Sequence, residues 1–177
     1  MTKINEYGKA MFLLTEELGS TETVKGDFFV IEQILKENPR YINLLDTPAV
    51  TKKEKLLLID EAFSTLDENL RNLIKILAEK HLVFTFSDIK STFISLYNEA
   101  RGIEEVEAIS AVDMSCEQIS RLKEKLSAIT GKRIIVNNTV NPEILGGLKL
   151  RYCGIQLDGS IKTRLDKFEK NLKNTII

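Results

Sequence analysis

Apolar residues recur every three to four positions from Tyr7 to about Gly102, and every second position in the stretch that follows. Side chains return to one face about every 3.6 residues on a helix and every two on a strand, so this single change of period demands two kinds of layer in one chain. A helical region should be followed by a smaller mixed region, with the boundary in the charged stretch around Gly102 formed by Glu99, Arg101, Glu104 and Glu105.

The breaks before Gly102 are short. A first helix is predicted over Asn5–Leu18 and ends at Gly19, and Ser20 or Thr21 is placed to cap a second that carries Val24, Phe28, Ile31 and Leu35. Pro39 suits the first position of a short third helix to about Leu45. Thr51 with Glu54 forms a capping-box signature for a fourth helix reaching Phe63. Asp67–Lys80 and Thr85–Arg101 complete six helices, which short connections should fold into an antiparallel bundle.

Beyond Gly102, Val106, Ala108 and Ser110 alternate with Glu105, Glu107 and Ile109 in a strand. Ser115 caps a helix bearing Ile119, Leu122, Leu126 and Ile129, which Gly131 ends. Three short strands follow, Arg133–Val136, Leu148–Tyr152 and Ile155–Leu157, and then a last helix from Ser160 to about Asn174. The fold class is therefore α+β and mostly α: a six-helix bundle over 1–102 and a small α/β domain over 103–177 with the order strand, helix, three strands, helix.

Composition narrows the function. At 177 residues the chain can bury roughly 70% of its unfolded surface, and 43% apolar with 29% charged residues is globular usage. With 25 Lys plus Arg against 26 Asp plus Glu there is no broad cationic field, so nucleic acid is not an expected partner. Met1–Tyr7 is polar and acidic rather than basic and then apolar, and no apolar run approaches the roughly 20 residues of a membrane span; any membrane association should come through a partner. Cys116 and Cys153 lie far apart outside any C-x-x-C pair and read as inert buried thiols.

Reactive constellations are scarce. His81 stands alone at a helix end, where it can meet the final carbonyls. There is no H-E-x-x-H, EF-hand loop or phosphate loop, so neither a metal nor a cofactor is expected. Gly146-Gly147 precedes a strand instead of opening a helix and reads as a tight turn or close packing. Asp158-Gly159-Ser160 reads as a turn out of a strand with Ser160 as the cap of the last helix, not as a nucleophile. That last helix carries Lys162, Arg164, Lys167, Lys170 and Lys173 against Asp166 and Glu169, a solvated face or a surface for an acidic segment.

Helices one and five carry surplus apolar surface instead. Tyr7, Met11, Leu14 and Leu18 lie within about 60° on the first helix, and this stripe is the expected core face; Phe12 and Leu13 fall outside it. On the fifth, Leu66, Leu70, Leu73, Ile74 and Leu77 line one side and Ile76 widens the arc to about 160°. Such width fits either two central helices buried by their neighbours or a groove for an amphipathic helix of another chain, and periodicity leaves both open.

Several segments, in order and across nearly the whole chain, resemble one family. They are Tyr7-Gly8-Lys9-Ala10-Met11-Phe12-Leu13-Leu14, Thr47-Pro48-Ala49-Val50 with Glu54-Lys55, Asn72-Leu73-Ile74-Lys75-Ile76-Leu77-Ala78-Glu79, and Ile109-Ser110-Ala111. The most specific are Pro142-Glu143-Ile144-Leu145-Gly146-Gly147-Leu148-Lys149-Leu150-Arg151 and Asp158-Gly159-Ser160-Ile161-Lys162-Thr163-Arg164-Leu165. The pattern resembles the delta subunit of rotary ATP synthases, counterpart of the mitochondrial oligomycin-sensitivity conferral protein. Two positions depart from it: Gly8 replaces a frequent Ala and His81 a common Arg.

The resemblance implies a non-catalytic stator subunit, monomeric alone and one copy per complex, at the cytoplasmic face of the bacterial cell membrane. Its bundle would bind the N-terminal helix of an alpha subunit in the catalytic head, and its C-terminal domain the C-terminal end of the b-subunit stalk. Carried over by position, the groove residues are Tyr7, Ala10, Met11, Leu14, Leu73, Ile76 and Leu77, and the structural motif is Gly146, Gly147, Asp158, Gly159 and Ser160. An aspartate at Leu73 or Ile76 is expected to weaken peptide binding and spare the fold. The alternative function is a helix-binding adaptor in another assembly.

Overall fold

Caps, prolines and turns divide the first part of the chain into helices. The computed structural model describes residues 3–144, 146–152 and 155–159, and the chain separates into two compact units, Met1–Asn98 and Glu99–Ile177. The first holds α1 (Lys3–Leu18), α2 (Thr21–Glu37), α3 (Pro39–Asp46), α4 (Lys52–Ala62), α5 (Glu68–Glu79) and α6, whose Phe86–Ala100 follows a 3-10 turn at Val83–Thr85. Proline opens α3. At α4 the Glu54 amide donates to the Thr51 hydroxyl and the Thr51 amide donates back to the Glu54 carboxylate, the reciprocal bonds of a capping box. Asp67 caps α5 by accepting from the amides of Asn69 and Leu70 at 2.9 and 3.2 Å.

The start of α2 differs from expectation. Neither Ser20 nor Thr21 caps it: Ser20 occupies the cap position without a side-chain cap bond, and Thr21 lies inside the helix, its hydroxyl donating to Glu16 at 2.8 Å. The Ser20 hydroxyl is buried without a hydrogen-bond partner.

Phe28 sits at the centre of the helical unit. Its ring lies 4.7 Å from that of Phe93 and 5.4 Å from that of Phe86, and Phe12 meets Phe93 edge-on at 5.9 Å. Around them Val24, Ile31, Leu45, Ile59, Leu70, Ile74, Leu77 and Ile89 are fully enclosed. Each such side chain contributes about 1.5–3 kcal/mol of transfer free energy, and close aromatic pairs add about 1 kcal/mol.

The second unit is a four-stranded sheet with one crossover helix. β1 (Ile103–Ser110), α7 (Cys116–Thr130), β2 (Arg133–Val140), β3 (Leu148–Tyr152) and β4 (Ile155–Asp158) give the spatial order β2-β1-β3-β4. β1 and β2 are parallel, as a helical crossover requires, whereas β3 runs antiparallel to β1 and β4 to β3. Val106, Ala108, Ile134 and Val136 form the buried face, covered by Met114, and by Ile119, Leu122 and Leu126 of α7. The sheet and its connecting helix thus follow the predicted order of elements, while the helix expected from Ser160 to Asn174 lies outside the described residues.

β2 runs four residues beyond the predicted Val136 because a polar side chain continues its inward face. The Asn138 amide donates to the Ala108 carbonyl at 2.9 Å and the Ser110 hydroxyl at 2.8 Å, and its oxygen accepts from the Met114 amide at 2.9 Å. A half-buried amide with three partners replaces the apolar residue the alternation rule looks for. Ile129, assigned to the apolar face of α7, stands 81% exposed in its last turn. Cys116 is exposed as well, correcting the expectation of a buried thiol: it is the first residue after the Ser115 cap, where the helix end meets solvent. Cys153 lies outside the described residues.

Candidate functional site

The phase of α1 decides what its surface can do. Gly8, Met11, Phe12 and Thr15 form its buried face, a set spanning about 100° of the helix wheel. Tyr7 is half-buried, and Ala10, Leu14 and Leu18 are exposed on the adjoining arc of about 80°. The expected core stripe of Tyr7, Met11, Leu14 and Leu18 is therefore turned: only Met11 belongs to the core, and Phe12, expected outside, is inside. Gly8 is the physical reason. A Cβ at this position would stand 2.7 Å from the Ile89 carbonyl oxygen and 2.8 Å from the Thr92 Cβ, so α1 presses its glycine face against α6 more closely than any side chain permits.

α5 lies on another flank of α1. The Lys80 ammonium beyond its C-terminal end donates to the Tyr7 hydroxyl at 2.7 Å and sits 5.3 Å from the centre of the Tyr7 ring. Within α5, Leu73, Ile74 and Leu77 are buried and Ile76 is 43% exposed. The seven residues carried over to a groove thus divide in two. Met11, Leu73 and Leu77 are core, while Ala10, Leu14 (40% exposed) and Ile76 face solvent beside half-buried Tyr7. Leu73 is 7% exposed, so an aspartate there strikes the packing first.

Sequence reasoning passed over Lys80, whose partner lies 73 positions away and leaves no local signal. It also left Leu13 and Leu18 out of the surface set, although both exceed 50% exposure. A run of four apolar side chains within Met11–Leu14 cannot be covered on one side of a helix, and that run is the signal that locates Leu13.

The other motifs are architectural. Gly146 and Gly147 enter β3 with φ of 144° and 88°, conformations that a residue with a Cβ rarely adopts. The Gly159 amide donates to the Leu148 carbonyl at 3.0 Å, and Asp158 pairs with Lys149 at 3.0 Å, so the two motifs lie against each other at one end of the β3–β4 hairpin. Ser160 lies outside the described residues. His81 does not cap its own helix by its ring: it adopts φ 55°, and its Nδ1 lies 2.6 Å from the Asp46 carbonyl oxygen at the end of α3. Among the described residues no three His, Cys, Asp or Glu side chains gather as a metal site, and no helix is long and apolar enough to cross a membrane.

A family model described as ATP synthase delta (OSCP) subunit matches residues 4–172, nearly the whole chain. The chain belongs to this family. It is 34% identical over 174 residues to the ATP synthase subunit delta of Clostridioides difficile (strain 630), covering 97% of this chain and 96% of that protein. Identity to the ATP synthase subunit delta of Geobacillus sp. (strain WCH70) is 30% over 167 residues, 94% of each. The same fold occurs in a chain of the Toxoplasma gondii mitochondrial ATP synthase hexamer, with a TM-score of 0.76, 19% identity, and coverage of 97% of this chain and 98% of that one. As a delta-family member the chain is a structural stator subunit of a rotary ATP synthase and has no active site of its own. Its task is to hold other subunits, which calls for surfaces rather than reactive groups.

Proposed function

We propose that the surface shared by α1 and α5 seats the N-terminal helix of the alpha subunit, and that the second unit holds the C-terminal end of the b-subunit. One copy of the chain then ties the catalytic head to the peripheral stalk at the cytoplasmic face of the membrane. The rotor loads the head with torque as ions flow, and a tied head converts that torque into ATP synthesis. The observation that carries the reading is that α1 and α5, which are in contact, expose Ala10, Leu14 and Leu18 on one and Ile76 on the other while burying Met11, Leu73 and Leu77. An amphipathic helix laid on these exposed side chains removes apolar area from water at about 25 cal/mol per Å², less the cost of ordering it.

Titration of a fluorescent alpha-subunit N-terminal peptide tests the assignment. Ile76→Asp and Leu14→Asp each replace an exposed apolar side chain, so far-UV circular dichroism should be unchanged and affinity should fall tenfold or more, equivalent to at least about 1.4 kcal/mol. Unaltered affinity in both folded variants would remove the peptide from this surface.

A further inference from the structure

A second site lies at the start of α4 and the end of α5. Pro48, Val50, Lys52, Lys55, Ala78, Glu79 and His81 line a pocket of about 230 Å³. Lys52 and Lys55 are three residues apart on one face of α4, so both ammonium groups are carried to the same side. Lys55 is only 4% exposed.

A buried ammonium needs acceptors, and the nearby carboxylates of Glu54, Glu79 and Asp46 each have other partners. The Glu54 carboxylate is held by the amide and hydroxyl of Thr51, at 3.0 and 2.8 Å. Glu79 pairs with Lys52 at 2.9 Å. The Asp46 carboxylate accepts from the amides of Val83 and Phe84, at 2.9 and 3.1 Å. The one polar atom within hydrogen-bond distance of the Lys55 nitrogen among the described residues is His81 Nδ1, at 3.4 Å. That nitrogen lies 2.6 Å from the Asp46 carbonyl oxygen, which can only accept, so Nδ1 carries its proton toward Asp46 and has no lone pair for Lys55. Two donors face each other across 3.4 Å, and among the described residues Lys55 has no ion pair.

From this geometry we infer that the pocket is a binding site for one small oxyanion, a phosphate or a carboxylate, which Lys55 holds and which Lys52, exposed at the rim, shares with Glu79. The pocket volume is several times the roughly 30 Å³ share of a water molecule, room enough for either group. The site is built by α4 and the last turn of α5 without α1, so it is separate from the proposed helix surface and stands or falls independently of it.

The test is a titration of the full chain with sodium phosphate and, separately, sodium acetate at ionic strength held constant with sodium chloride, read by the backbone amide resonances of residues 51–55 and 78–81. Saturable shifts at these amides are expected: with phosphate alone the site takes a tetrahedral anion, with acetate alone a carboxylate, with both either one. Lys55→Met should weaken the binding at least tenfold and, by removing a buried charge that has no ion pair among the described residues, raise the melting temperature of the anion-free protein. Lys53→Gln, on the same helix outside the pocket, should bind as the parent does. If Lys55→Met does not fold, Lys52→Gln at the exposed rim should weaken the same binding severalfold. Absence of saturable shifts with both anions, or unchanged affinity in Lys55→Met, overturns the site.

Discussion

At the scale of single residues, Gly8 has the largest unforeseen effect. Helix propensity alone says that alanine at position 8 stabilises α1 by up to about 1 kcal/mol. The packing says the opposite, because the added methyl would meet the Ile89 carbonyl oxygen at 2.7 Å, and backbone atoms cannot swing aside as a flexible side chain does. Overpacking of this kind costs about 1–3 kcal/mol, so the clash should win. Gly8→Ala should lower the urea midpoint without changing the slope; a variant of equal or greater stability would show that α1 shifts freely on α6. The same residue explains why the core face of α1 was illegible in the sequence. Apolar periodicity weighs side chains, and the contact that sets the helix phase is made by the residue without one.

At the scale of elements, what was legible depends on where the information lies. The capping box of Thr51 and Glu54 and the cap at Ser115 could be read because their partners are three residues apart. The end of β2 could not, because Asn138 substitutes hydrogen bonds to β1 for apolar burial. Contacts between α3 and α4 leave no sequence signal either: the Tyr41 hydroxyl donates to the Leu58 carbonyl at 3.1 Å, and its ring meets Phe63 edge-on at 6.2 Å. Burial pushes the Tyr41 hydroxyl up to about 12 from its ordinary value of 10.0. The folded chain therefore keeps this proton at pH values where the unfolded chain has lost it. Stability from this group is whole below pH 10 and declines as pH rises from there toward 12. Tyr41→Phe should lose the hydrogen bond at neutral pH and show a shallower alkaline decline in melting temperature than the parent; identical alkaline slopes would assign the decline to other groups.

For the whole molecule, the change of apolar period near Gly102 was sufficient to separate a helical unit from a mixed one, but not to place β3 beside β1 rather than beyond β2. Strand order depends on which edge of β1 the chain returns to, and alternation is the same on either side. The surplus of apolar width on α1 and α5 was legible, whereas which of those side chains are buried and which exposed was not, since on α1 that split follows from how the helix is rotated. A stator tie makes a demand that no isolated binding measurement reads: the head must stay fixed under load. Weakening the tie leaves the catalytic sites intact while the head turns with the rotor. In ATP synthase assembled in membrane vesicles with Ile76→Asp, ATP hydrolysis should therefore continue near the parent rate while ATP-driven ion uptake per ATP hydrolysed falls. The comparison needs both measurements on one preparation, because loss of both activities together reports failed assembly. Retention of the parent uptake-to-hydrolysis ratio, in a variant whose peptide affinity has fallen tenfold, would place the mechanical load on contacts other than the α1 and α5 surface.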